Sequence, residues 1–385
     1  MNKSTLTLAV TLAALANQAT AAGFIEDSKA TLGLRNFYFD RDDKNTANSN
    51  NEASEWGQGF IFNYQSGYTE GTVGFGLDAI GLVGIKLDSG GDSSTPRSRA
   101  PGALFPLESD GSAVDNYGKA GVTAKARLSK TELRIGTLQP KLPVINFNDG
   151  RLLPQTFEGA QVTSAEIDGL TLTAGQLEST KTRSSTDDIA LRIGGAASFQ
   201  GKAADSNEFI YAGGDYKITK DLTAQYYYGN LEDFYKQHFL GLTHSLGLGA
   251  GALKTDLRYA RSTDGSRSNV DNKALGAMVT YSAYGHGLGL GYQQMSGDTG
   301  FVYLDGTDPF LVNYVQIGHF ANKDEKSWQL RYDYNFASIG IPGLTFMTRY
   351  LTGDNVELGA NRSEGKDWER NTELMYVFQE GALKN

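Results

Sequence analysis

Apolar and polar side chains alternate along many segments of this chain. In residues 328–336 (WQLRYDYNF) the even positions are apolar or aromatic and the odd positions are polar or charged. In residues 118–128, one face carries Val122, Ala124, Ala126 and Leu128, and the other carries Lys119, Thr123, Lys125 and Arg127. A period of two predicts a β-strand whose two faces meet different surroundings.

The alternation recurs often enough to predict an all-β protein of about seventeen strands. The separators are residues that favour turns, such as Asp168-Gly169 and Pro342-Gly343, and short separators alternate with longer ones. The predicted strands lie near residues 28–38, 57–67, 71–86, 117–128, 130–138, 160–167, 169–178, 187–194, 208–217, 221–230, 235–246, 252–261, 273–283, 286–295, 327–336, 343–352 and 369–378.

The N-terminus predicts export. Lys3 precedes a short apolar run from Leu6 to Leu15, and small residues follow at 19–22, so residues 1–22 are predicted to be a signal peptide. No later run approaches the roughly 20 apolar residues that a membrane helix needs. An exported chain of two-faced strands indicates a transmembrane antiparallel β-barrel, apolar toward lipid and polar toward a lumen. We therefore expect residues 23–385 to form one barrel domain in a Gram-negative outer membrane.

The polar face of the predicted strands is largely basic. A charge on the lipid face at the membrane midplane costs roughly 2–4 kcal/mol, so each base is expected to face the lumen, unless it lies near a strand end. A lumen lined by cations selects anions, which predicts a pore for small organic anions. The predicted pore-lining ladder is Lys29, Arg35, Lys119, Lys125, Arg127, Arg134, Arg151, Arg192, Lys254, Arg258, Arg331 and Arg349. Four acids share this face and would contact a substrate amine or form salt bridges within the wall: Asp78, Glu132, Asp256 and Asp333.

One long connection, residues 139–159, is too apolar to be expected in water. It contains three prolines, and we predict that it folds into the lumen and leaves Arg151 at a constriction. The alternative is a loop packed on the outer rim. The residues predicted to build the constriction loop are Pro143, Asn148, Asp149, Gly150, Arg151, Leu152 and Pro154.

Composition removes several other functions. The net charge of −9 argues against general nucleic-acid binding, and a chain without cysteine has no disulfide or thiolate site. The four histidines lie in no recognisable catalytic motif, so we predict no enzyme, no metal and no cofactor. The alternatives left open are an enzymatic barrel, a structural barrel that transports nothing, and a soluble β-rich binding protein.

Several long segments, in the same order, resemble the OprD family of outer-membrane porins, the substrate-specific channels of pseudomonads. The segments are residues 23–29, 34–39, 130–136, 148–156, 235–240, 312–316 and 340–347.

The resemblance implies an 18-stranded barrel with an inward third loop, a wall ladder of Arg and Lys, and solutes that usually carry a carboxylate. It also implies a monomer or weak trimer, with outer-membrane lipid and the outer-membrane assembly machinery as partners. Arg151 matches the constriction arginine of the family. Two departures from the family are expected to matter. The first is that the family continues beyond Asn385 with further strands, so we expect the C-terminal strands to be missing here. The second concerns the residues that follow Gln316. Relatives that accept basic amino acids carry Tyr and Asp where this chain has Ile317 and His319.

Overall fold

The structure, a computed structural model, describes residues 23–42, 52–90, 102–195, 205–356, 364–381 and 384. The predicted signal peptide lies outside the described residues. The strands are β1 (Lys29–Asp42), β2 (Glu52–Gln65), β3 (Val73–Ser89), β4 (Asn116–Leu128), β5 (Thr131–Leu138), β6 (Lys141–Leu142), β7 (Ile145–Asn146), β8 (Thr156–Ser164), β9 (Leu170–Lys181), β10 (Ile189–Gly195), β11 (Asp205–Ser206), β12 (Phe209–Lys217), β13 (Leu222–Leu231), β14 (Tyr235–Leu248), β15 (Gly251–Asp264), β16 (Asp271–Ala283), β17 (His286–Ser296), β18 (Val302–Leu304), β19 (Lys326–Asn335), β20 (Leu344–Val356) and β21 (Gly365–Tyr376). A 3-10 turn covers Phe336–Ile339.

Sixteen long strands form one antiparallel wall in which neighbours along the chain are neighbours in the sheet. β1 to β5, β8, β9, β12 to β17 and β19 to β21 follow one another in this order. Within the described ranges, β1 pairs only with β2 and β21 only with β20 among the wall strands. The all-β antiparallel fold is confirmed, and every predicted strand has an observed counterpart. The sequence missed four strands of two or three residues: β6, β7, β11 and β18.

The two faces of the wall differ as the alternation predicts. Large apolar side chains on one face are exposed, as at Leu34 (67%) and Leu330 (60%). A protein in water rarely leaves so many apolar side chains uncovered, whereas lipid covers them at no penalty. No helix in the part of the chain that the structure describes has the length and apolar character to cross a membrane.

The connections differ in length at the two ends of the wall. Pairs of residues join β4 to β5, β14 to β15 and β16 to β17 at one end, which we call the short-turn end. The opposite end, the loop end, carries the long connections, as expected for the extracellular side of such a barrel.

One predicted strand is not a regular wall strand. β10 pairs with β9 at two positions only, Ile189 with Thr180 and Ala190 with Ser179. Its remaining partners are β11 and β18, which lie in the long connections. β12 instead pairs with β9 along Leu170–Leu177, so β10 extends the sheet above the wall at the loop end.

The buried core lies against the inner face of the wall, where the long connections fold inward. One cluster joins Val144, Ile145 and Phe147 to wall residues such as Phe209 and Tyr211. A second cluster contains Leu82, Leu104, Phe105, Ala113, Tyr117, Leu152 and Leu153. The apolar loop residues therefore escape water by packing on the wall from the inside, which narrows the lumen.

Candidate channel constriction

The connection between β5 and β8 folds into a compact loop. β6 and β7 form a small hairpin, and the Phe147 amide donates a hydrogen bond to the Pro140 carbonyl at 2.9 Å. The tip is closed where the Gln155 amide donates to the Asn148 carbonyl at 2.8 Å. The Asn148 amide in turn donates to Gln155 Oε1 at 3.2 Å. These bonds fix the backbone of residues 148–155, which carries Arg151.

A basic residue of β1 holds the tip of this loop. The Arg35 guanidinium donates to both oxygens of Asp149, at 2.7 and 3.2 Å, and to the Arg151 carbonyl at 2.6 Å. Beside it, two glycines of β2 admit the loop: a Cβ on Gly57 would lie 2.7 Å from Leu152 Cδ2, and one on Gly59 would lie 3.0 Å from the Leu152 carbonyl oxygen. Because these two positions carry no side chain, Leu152 of the loop can pack directly against the backbone of β2.

A second base of the predicted ladder also holds loops. Lys119 is only 6% exposed, and its Nζ donates to the carbonyls of Pro154 at 2.9 Å and Thr182 at 2.6 Å. The parity of Lys119 is inward, as predicted, but its ammonium group is covered by these loops. Arg35 and Lys119 therefore shape the constriction more than they present charge to a solute.

A second connection, residues 305–325, folds inward from the opposite side, and the sequence did not predict this. The Asp308 amide donates to the Asn146 carbonyl at 2.9 Å, which joins the two loops. Farther along, Asn313 is fully buried and donates from Nδ2 to Ser327 Oγ at 2.8 Å. Gln329 Nε2 donates to Asn313 Oδ1 at 3.0 Å, so wall amides fix this loop.

A cavity of about 930 Å³ lies between the two loops and the wall. Its charged lining residues are Asp40, Arg41, Arg151, Arg183, Arg258 and Asp308. Aromatic rings support two of the guanidinium groups: Arg151 lies 4.9 Å from the centre of the Phe39 ring, and Arg258 lies 3.9 Å from that of Phe310. Stacking against a ring leaves the N–H edge of a guanidinium available for a carboxylate. In Arg258 that edge already binds Asp256, with Nε and Nη2 donating at 3.1 and 2.7 Å.

The electrostatics of the cavity follow from burial. Burial lowers the pKa of Arg151, and the nearby Arg183 lowers it further. Burial raises the pKa of Asp308 to about 6, although Arg183 and Arg151 oppose the shift. Within the described residues, no hydrogen bond or ion pair occupies the Asp308 carboxyl group. The constriction therefore has an excess of cations and one acid that titrates near neutrality.

The four acids on the polar face form salt bridges with bases of the ladder. Glu132 pairs with Arg134 on the same strand, and Asp78 pairs with Lys125 across strands at 2.6 Å. The same-strand pairs Arg258–Asp256 and Arg331–Asp333 both have a separation of 2.7 Å. Same-strand partners two residues apart share a face, so each pair lies on the inner wall with its charges largely balanced.

The remaining ladder residues are dispersed. Lys29 and Lys254 are exposed and in phase with the inner face of β1 and β15. Arg127 lies over the Tyr68 ring, 4.1 Å from its centre. Arg349 donates to Asn371 Oδ1 at 2.7 Å and to the Val315 carbonyl at 2.9 Å. Arg192 pairs with Asp205 at 2.7 Å in β10, above the wall, and does not line the cavity.

Sequence reasoning missed three residues of the cavity. Arg183 follows β9 and donates to Asn148 Oδ1 at 3.1 Å, whereas Asp308 and Tyr314 belong to the second inward loop. The one available signal was the Lys-Thr-Arg run at 181–183, which extends the alternating pattern of β9 into the loop.

An antiparallel wall with an apolar exterior and a lumen narrowed by inward loops defines the porin class. Residues 22–385 match the model of the outer membrane porin, OprD family. The chain is 38% identical to the porin-like protein GalP of Pseudomonas putida, over 97% of this chain and 88% of that protein.

Solved structures show the same similarity. OpdQ of Pseudomonas aeruginosa is 55% identical, with a TM-score of 0.84 over 94% of this chain and 91% of that chain. OpdK of the same organism, solved with vanillate, is 40% identical, with a TM-score of 0.86 over 94% and 92%. The chain belongs to the OprD family of outer-membrane porins, which are passive channels and not enzymes. This confirms the predicted outer-membrane location and family, and it excludes the enzymatic alternative.

Proposed function

We propose that this porin takes up small carboxylate-containing molecules selectively, and that Arg151 and Arg183 form its charge filter. The observation that carries the proposal is the cavity between the two inward loops, where the arginines outnumber the acids. The structure of OpdK with vanillate, itself a carboxylate, is consistent with this class of solute.

The filter works by exchanging hydration for charged hydrogen bonds. An anion that reaches the constriction loses part of its water and gains N–H donors, and arginine can bind a carboxylate through two parallel bonds. Several sites of moderate strength are better than one tight site, because the solute must also leave. The wall pairs, such as Arg331 with Asp333, balance the charge of the ladder residues that take part in them, which leaves more of the selectivity to the cavity.

Positions 317 and 319 of the second inward loop do not favour a cationic solute as the main cargo. Ile317 lines the cavity, and His319 stacks on Tyr314 with the ring centres 5.5 Å apart. Burial lowers the pKa of His319, so its ring stays neutral at ordinary pH. These two positions therefore supply no carboxylate to an amine.

The test is ion selectivity of single channels in planar bilayers under a salt gradient. We expect anion selectivity and a current that falls when benzoate is added. Arg151→Gln should reduce both effects. Arg192→Gln is the matched control, because it removes an equal charge from a residue outside the cavity and should change neither. Cation selectivity of the unaltered channel would contradict the proposal, and absence of conductance would favour a barrel that transports nothing.

We also propose that residues 23–385 act as one porin domain and that residues 1–22 are removed as a signal peptide. In support, Gly23–Ser28 packs on the β2–β3 turn, where the Gly67 amide donates to the Phe24 carbonyl at 2.9 Å. Mass spectrometry of the membrane-extracted protein tests the proposal, with a mature N-terminus at residue 22 or 23 as the expected result. Retention of Met1 in the membrane form would contradict it.

A further inference from the structure

The turn between β2 and β3 folds back into the lumen at the short-turn end. Ser66 and Thr69 are buried, and Ser66 Oγ accepts a hydrogen bond from the Leu77 amide at 2.7 Å. Two inward glycines of β3 leave room for the turn. A Cβ on Gly74 would lie 2.9 Å from Tyr68 Cβ, and one on Gly76 would lie 2.7 Å from the Gly67 carbonyl oxygen.

This fold places the Tyr68 side chain among charged residues of β4 and β5. Its ring centre lies 4.1 Å from the Arg127 guanidinium and 4.8 Å from Lys125 Nζ. Its hydroxyl donates a hydrogen bond to Glu132 Oε2. Lys125 is already satisfied by Asp78 and by the Ser66 carbonyl.

Arg127 stands directly opposite Glu132 in the register of β4 and β5. Facing residues of opposite charge on one face of a sheet normally pair. Here the two oxygens of Glu132 are taken by the Tyr68 hydroxyl and by Arg134 Nε. Arg127 consequently has no carboxylate partner in the described part of the chain, and it remains exposed.

We propose that Tyr68 is a positioning residue that keeps Arg127 unpaired, so that Arg127 forms a carboxylate-binding subsite at the short-turn end of the lumen. The ring holds the plane of the guanidinium group, and the hydroxyl holds Glu132 away from it. The edge of the guanidinium group is left to bind a solute carboxylate through two N–H donors. The subsite rests on the proposed anion-uptake function and adds a second binding site for the solute, beyond the constriction.

The test compares block by benzoate applied from each side of a planar bilayer. The chain has no cysteine, and Tyr284 is 77% exposed in the β16–β17 turn. A Tyr284→Cys background, labelled with a bulky maleimide from one chamber, therefore reports the orientation of each inserted channel.

From the short-turn side, Arg127→Gln should raise the half-blocking concentration of benzoate about tenfold, equivalent to about 1.4 kcal/mol. Tyr68→Phe keeps the ring but frees Glu132 to pair with Arg127, so it should weaken block in the same direction. Adding Glu132→Gln to Tyr68→Phe removes the competing carboxylate and should restore the unaltered value. Block from the loop side should stay the same in all three variants, which also shows that they fold and insert.

Each contrary result has a distinct meaning. Unchanged block in Arg127→Gln, with normal block from the loop side, overturns the subsite. Loss in Arg127→Gln but not in Tyr68→Phe overturns the positioning role of Tyr68. A Tyr68→Phe defect that Glu132→Gln does not reverse also overturns it, because packing alone would then explain the loss. Absence of block from either side in the unaltered channel removes the proposed function itself.

Discussion

Breaking the ion pair between Arg35 and Asp149 should release the constriction loop. The pair joins β1 to the loop tip through two bonds of 2.7 and 3.2 Å, and the two side chains are 28% and 42% exposed. Asp149→Asn retains a carbonyl acceptor but removes the charge. The substitution therefore removes only the Arg35–Asp149 ion pair. The hydrogen bonds between Gln155 and Asn148, and the packing of Leu152 against Gly57 and Gly59, remain.

The size of the effect follows from the geometry. Hydrogen bonds to charged groups contribute about 1.5–3 kcal/mol when buried, and exposed ion pairs contribute about 0.2–1 kcal/mol. This half-exposed, bidentate pair lies between these limits, so we expect the loss to be about 1–2 kcal/mol. That corresponds to a change of about 5- to 30-fold in the ratio of docked to displaced loop.

Single-channel recording measures this ratio directly. Asp149→Asn should raise the ratio of time at a larger conductance to time at the docked level by about 5- to 30-fold. Asp168→Asn is the matched control, because Asp168 sits in an exposed short turn, 3.6 Å from Lys130. If the two variants behave alike, or if Asp149→Asn records as steadily as the unaltered channel, the Arg35 anchor does not hold the loop.

Three further predictions concern the same lumen. Gly59→Leu should displace Leu152 and widen the distribution of open-channel currents, because a Cβ there would lie 3.0 Å from the Leu152 carbonyl oxygen. Gly33→Leu is the control, because a Cβ at this inward position would lie 3.6 Å from its nearest neighbour, Ile61 Cβ, and it should have a smaller effect. Lowering the pH from about 7 to about 5 should raise anion selectivity, because the pKa of Asp308 is raised to about 6 and its carboxyl group becomes neutral beside Arg151. In Asp308→Asn, the reversal potential should not change over this pH range. Asp333→Asn should increase anion selectivity by unpairing the neighbouring arginine of the same strand, and an unchanged reversal potential would show that the pair is already screened.

The wall could be predicted from the sequence because lipid and water impose opposite demands on alternate residues. In β19 every second residue, from Trp328 to Tyr334, meets lipid, and the intervening residues meet the lumen. That demand is local, so a strand can be identified from its own residues. The same reasoning gives the inward parity of Arg331 and Lys119.

The partners of inward residues could not be predicted, because they depend on contacts between distant parts of the chain. Parity places Arg35 inside, but the carboxylate that it binds is 114 residues away. Glu55 is a similar case, because this acid of β2 is fully buried. Its carboxylate accepts four backbone N–H groups of residues 102–105, at 2.6 to 3.2 Å. Loops that fold inward thus turn several apparent pore charges into anchors.

The three same-strand ion pairs of the inner wall share one polarity. Arg134, Arg258 and Arg331 each lie nearer the loop end, and their acids, Glu132, Asp256 and Asp333, lie nearer the short-turn end. Because each pair is nearly neutral but oriented, together they form a dipole along the channel axis.

An anion moving inward meets the cation of each pair before its carboxylate, and an anion moving outward meets them in the reverse order. We therefore expect the current through the open channel to differ between the two signs of an applied voltage. A passive pore cannot move the final equilibrium, so this polarity would change the shape of the current–voltage curve and not how much solute accumulates.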